Sequence, residues 1–151
     1  MKNTNRNLGM VKFAVLALLT TAWAPQALRA ANSQGCSNST LKGTYMASST
    51  GTVVGVGPAA VVNGVTFDGN GNGTVFAETI SMNGTITTGV TGTVTYSVNA
   101  NCSGSDTITM STGAVADFNF LLNANGARFF FISTDSGFVA SGEGIRLGEE
   151  K

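Results

Sequence analysis

Between Leu41 and Leu147 the chain is a succession of short segments in which apolar and polar residues alternate, each ended by a turn rich in Gly or Asn. No helical period follows residue 31. Period two sends successive side chains to opposite faces of a strand, so such a chain builds its core by pairing strands that bury one face. Leu41, Gly43, Tyr45 and Ala47 alternate with Lys42, Thr44, Met46 and Ser48, and Val94, Tyr96, Val98 and Ala100 alternate with Thr93, Thr95, Ser97 and Asn99. Further strands are expected over 59–67, 74–81, 106–112, 115–122, 127–134 and 138–147. Residues 85–88 read either as a short strand or as a bulged approach to the next one, and 51–58 as a stretch interrupted by Gly and Pro.

Asn83-Gly84, Asn125-Gly126 and Asp135-Ser136-Gly137 supply the left-handed positions that tight hairpins need. Short loops favour antiparallel neighbours, and closing the meander on itself removes two edge strands that would otherwise be sticky. The expected fold is therefore all-β: a small antiparallel up-and-down barrel of about eight strands, with a two-sheet β-sandwich as the alternative.

The first 30 residues read as a secretory signal, followed by a mature N-terminal segment at 31–40, a barrel domain at 41–147 and a tail at 148–151. Lys2, Arg6 and Lys12 precede an apolar run from Phe13 to Ala24, and small residues follow up to Ala31, placing cleavage after Ala30 or, failing that, Ala27. The run is too short to span a hydrocarbon core of roughly 30 Å, so no membrane span is expected and the protein is exported, to the periplasm or beyond the cell. Processing leaves four basic residues against eight carboxylates, a net charge of −4. Without a basic cluster, phosphate-backbone binding lacks its electrostatic basis, and nucleic acid is not an expected partner. Cys36 and Cys102 both remain, and an oxidising compartment favours their pairing as a disulfide.

The absence of histidine removes Ser-His-Asp and Cys-His nucleophile pairs and His-ligated metals. Asp68-x-Asn70-x-Asn72-Gly73 matches the front of a calcium loop, but Thr79 stands where a bidentate Glu is needed, and a Gly-rich turn accounts for the same residues. No metal site or cofactor is expected. Glu78 falls between Phe76 and Ile80 on one face of its strand, and Arg128 shares a face with Phe130 and Ile132. If those faces line the interior, both charges require partners, possible partners being each other. Tyr45, Phe76, Glu78, Tyr96, Phe118, Phe120, Arg128 and Phe130 form the candidate pocket set. Phe129-Phe130-Phe131-Ile132 is apolar on both faces, which suggests either a covered strand or an interface between copies of the chain.

Phe67-Asp68-Gly69-Asn70-Gly71, the run from Gly92 to Ser105 containing Tyr96 and Cys102, and Leu41-Lys42-Gly43-Thr44-Tyr45 together resemble segments of a group of small exported bacterial proteins. The resemblance implies a calycin-like barrel, similar in outline to lipocalins and allene oxide cyclases. Its motifs are structural and transfer no catalytic residue; Gly43-Thr44-Tyr45 stands where lipocalins carry Gly-x-Trp. The functional expectation is a non-catalytic binding module for a small hydrophobic molecule. The competing readings are a structural or oligomeric surface protein and a carboxylate- and tyrosine-based isomerase or cyclase.

Overall fold

Eight strands pair in sequence order and close on themselves: β1 Lys42–Val53, β2 Gly57–Asp68, β3 Asn72–Met82, β4 Thr85–Val98, β5 Ser103–Met110, β6 Val115–Leu122, β7 Arg128–Ser133 and β8 Phe138–Arg146. Every neighbouring pair is antiparallel, and β8 returns to β1 from Phe138↔Val53 to Arg146↔Tyr45. Closure satisfies the backbone donors and acceptors that an open sheet would leave along two edges. The barrel, rather than the sandwich, is the architecture. This computed structural model describes residues 35–148. The expected signal sequence, its cleavage site and the last three residues lie outside the described residues.

The hairpin turns gather at two ends. One end carries the links β1–β2, β3–β4, β5–β6 and β7–β8. The other carries the links β2–β3, β4–β5 and β6–β7, together with the N-terminal segment and its 3-10 turn Asn38–Thr40. There the Cys36–Cys102 disulfide ties the segment to the β4–β5 turn, and the Cys36 amide donates to the Ala100 carbonyl at 3.1 Å. The bridge closes a loop with a sequence separation of 66, and a constraint of that length removes about 4 kcal/mol of unfolded-chain entropy before native strain is subtracted.

Two stretches are more continuous than their sequences suggest. Residues 51–53 and 57–58 belong to β1 and β2, and the turn is confined to 54–56. Gly51 is required by proximity: a Cβ there would lie 2.1 Å from the Val139 carbonyl oxygen. Residues 85–88 are the start of β4, joined to the rest through Gly89, whose φ of 70° lets it sit as an unpaired residue between Thr88 and Val90.

A second bulge changes which residues face inward. On β2, Gly64 pairs with Ala77 and Val65 with Val75, so Phe76 has no partner there. The extra residue lets Val75 and Glu78 both point inward while Phe76 turns out over Gly64. Simple alternation puts Phe76 and Glu78 on one face; the bulge separates them.

Candidate functional site

One end of the interior is solid. Tyr45, Phe67, Tyr96 and Phe129 pack edge-on or tilted, with centroids 5.1–6.1 Å apart, and Leu41, Phe120 and Leu122 complete the cluster. The rings fit because glycines face them across the sheet. Phe120 pairs with Gly104, Phe129 with Gly144 and Phe131 with Gly142. An added Cβ at Gly144 would lie 2.2 Å from the Phe129 ring.

Both tyrosine hydroxyls of this plug are satisfied by the chain around it. Tyr45 donates to the Gly126 carbonyl at 2.6 Å and accepts from Arg146 Nε at 2.9 Å, while Arg146 Nη2 donates to the Thr40 carbonyl at 2.7 Å. Tyr96 donates to the Leu41 carbonyl at 2.8 Å and accepts from the Gly69 amide at 2.9 Å. Burial pushes both phenols up, and Arg146 partly offsets this at Tyr45.

Above the plug the barrel is hollow. A cavity of about 130 Å³ extends towards the end where Met82, Met110 and Phe138 close their strands. Small residues on β1 and β2, Ala47 and Ala59, leave the space, and Val65, Val75, Val94, Ile108 and the rings of Phe118, Phe129 and Phe131 give it apolar walls. A cavity of roughly 150 Å³ suffices for benzene, so this one suits a ligand whose buried part is about one ring or a short alkyl chain.

Its polar lining is sparse and acidic. Glu78 is 3% exposed; its Oε2 accepts from Asn63 Nδ2 at 3.0 Å, and its Oε1 has no partner. Asn63 Oδ1 is likewise unpaired. Asp106, across β4 from Glu78's strand, has no hydrogen bond to its buried Oδ1. Burial raises the Glu78 carboxyl above the usual range, with Asn63 opposing, and pushes Asp106 up to about 7, helped by the negative charge of Asp117. A buried acceptor left without a donor costs about 1–3 kcal/mol, so these atoms favour an occupant that brings donors.

The candidate residues divide three ways. Glu78 and Phe118 line the cavity. Tyr45, Tyr96 and Phe120 belong to the solid plug, which corrects their place in the pocket set; their hydroxyls and rings hold the closed end instead. Phe76, Arg128 and Phe130 are corrections of a different kind, because all three lie on the outer surface. Arg128 forms an ion pair with Glu143 and stacks over Phe130 at 4.9 Å from its centroid, so it does not meet Glu78. Ser49, Asn63 and Asp106 are polar lining residues that the sequence reading passes over. Asp106 shares its strand face with Ile108 and Met110, the same signal that marks Glu78.

Within the run at 68–73 the chain turns at 69–71, between β2 and β3. Asp68 Oδ1 accepts from the amides of Asn70 and Asn72 at 2.6 and 3.0 Å, and these donors hold its carboxyl below the usual range. Among the described residues no group of three or more potential metal-ligating side chains is present, and no helix is long and apolar enough to cross a membrane.

No protein-family model and no curated protein matches the chain. Among solved structures, the chain is similar to a de novo designed fluorescence-activating β-barrel. The TM-score is 0.51 and the identity 15%, over 70% of this chain and 93% of that one. At that identity the likeness is one of fold. It agrees with a small closed antiparallel barrel.

Proposed function

We propose that the chain is an exported binding module whose barrel holds one small apolar ligand, entering at the end opposite the disulfide. The observation that carries this reading is the cavity itself. A barrel of this strand number can fill its interior with side chains, yet here alanines stand where larger residues would close the space. The solid plug provides a floor, and the disulfide fixes the segment that covers it. Export to the periplasm or beyond the cell follows from the signal-like first 30 residues and is in keeping with the paired cysteines.

The fold likeness to a fluorescence-activating barrel makes an apolar fluorogenic dye a natural first probe. Titration with such a dye is expected to give saturable enhancement, displaced by small aromatic compounds and suppressed by Ala47→Phe, which fills the cavity. Non-saturating enhancement, or binding unaltered in a folded A47F protein, would place the dye on the surface and defeat the proposal.

A second reading draws on the outer face, where Leu121, Phe130 and Ile132 are 63%, 56% and 55% exposed on adjacent strands. Phe129 and Phe131 of the same run point inward, so half of the expected interface residues serve the core. The exposure of these three on one face supports the oligomeric surface-protein reading, and light scattering behind size exclusion tests it: a strict monomer at high concentration removes it.

A further inference from the structure

Resting on the binding reading above, we propose that the cavity selects a small apolar amine, its ammonium group held by Glu78 and Asn63. The demand of the lining is one-sided. Glu78 Oε1, Asn63 Oδ1 and Asp106 Oδ1 lack partners, and Asn63 already spends an N–H on Glu78 Oε2. An amide oxygen accepts at every pH, so the free atom of Asn63 can be satisfied only by a donor. A hydrocarbon ligand brings no donor to any of the three. An ammonium brings three donors and no acceptor of its own.

Charge selects in the same direction. Among the described residues no Lys or Arg lines the cavity. Arg146 is committed to the plug and Arg128 to Glu143 on the outside. A carboxylate ligand would therefore enter beside two acidic side chains with no counter-charge. An ammonium would instead find a carboxylate already oriented by Asn63, the pairing that a buried charge requires. The walls set the remainder of the ligand, since Phe118, Phe129 and Phe131 present rings to a space about one ring in size.

Binding is then coupled to a proton. Among the described residues, the ionisable groups that line the cavity are Glu78 on β3 and Asp106 on β5. Asn63 on β2 and Val90 on β4 pair with Glu78; Tyr96 on β4 and Phe118 on β6 pair with Asp106, and Asp117 on β6 adds its charge. Burial favours the protonated acids in the empty barrel. An arriving ammonium stabilises the carboxylate, so the carboxyl proton leaves to solvent as the ion pair forms, and amine affinity rises with pH until the acid is ionised without ligand.

The test uses the disulfide-bonded protein and three probes of matched size, 2-phenylethylamine, 2-phenylethanol and phenylacetate, titrated by solution NMR. The amine is expected to bind at least about tenfold more tightly than the alcohol at about pH 8, with phenylacetate weakest. In Glu78→Gln the amine should bind within about twofold of the alcohol, both measured on that variant. In the unmutated protein the amine-to-alcohol ratio should grow as pH rises above the ordinary carboxylate range, which keeps the test independent of whether the variant folds. Equal affinity of amine and alcohol at the upper pH, or phenylacetate as the tightest probe, overturns the amine assignment and leaves a neutral-ligand barrel standing. Failure of all three probes together with the dye overturns both readings.

Discussion

Asp106 is the residue whose environment most directly changes stability. Below about pH 3.8 the carboxyl is protonated in both folded and unfolded chains and makes no difference. As pH rises from there to about 7 the unfolded chain ionises while the folded barrel retains the proton, so stability falls across that window and the loss is complete above it. Glu78 acts in the same direction. Asp106→Asn keeps the shape of the protonated acid and should gain on the order of 3 kcal/mol at pH 8 but little at pH 4, read by chemical denaturation at both pH values. An identical pH dependence in the variant would show that Asp106 ionises freely in the barrel. At this scale legibility was uneven. Glu78 is visible as a lone charge between apolar neighbours, and Asp106 has equally apolar neighbours at Ile108 and Met110, but it stands near the start of a strand, where a charge ordinarily reaches water. Only the closed wall, with Phe118 opposite on β6, shows that its Oδ1 is buried.

Among the strands, glycine carries information that alternation alone misreads. Gly104, Gly142 and Gly144 look like interruptions of β5 and β8, yet each faces a phenylalanine on the next strand and seats its ring. Ring and glycine together fill the volume that two ordinary side chains would, a pairing that also offsets the weakness of glycine within a strand. Gly144→Val places methyl groups where the Phe129 ring lies and should destabilise the barrel by about 1–3 kcal/mol, measured by thermal or chemical unfolding. A neutral effect would mean that the plug can slide to make room. The strand boundaries were largely legible because Asn-Gly and Asp-Gly turns are local signals. The bulge at Phe76 was not, because one unpaired residue is specified by what pairs on either side of it, and that is a property of the sheet rather than of the segment.

For the whole molecule, closure was legible in the count of short strands and short loops, and the disulfide in two cysteines downstream of a signal-like segment. The hollow was not legible. Inward-eligible small residues such as Ala47, Ala77 and Ala100 look alike in sequence, but Ala47 faces the cavity, while Ala77 follows the bulge to the outside and Ala100 sits exposed in a turn. Whether a small barrel is solid or hollow depends on how side-chain volumes sum across eight strands, with the rings at one end and the alanines nearer the other. The most direct measurement is a crystal structure of the protein under xenon pressure, because xenon occupies apolar space without needing a hydrogen bond. A xenon site bounded by Val65, Val94 and Phe131, above the Tyr45 and Phe67 plug, is the expected result. A barrel whose side chains close that space, with xenon found only on the outer surface, would contradict the account.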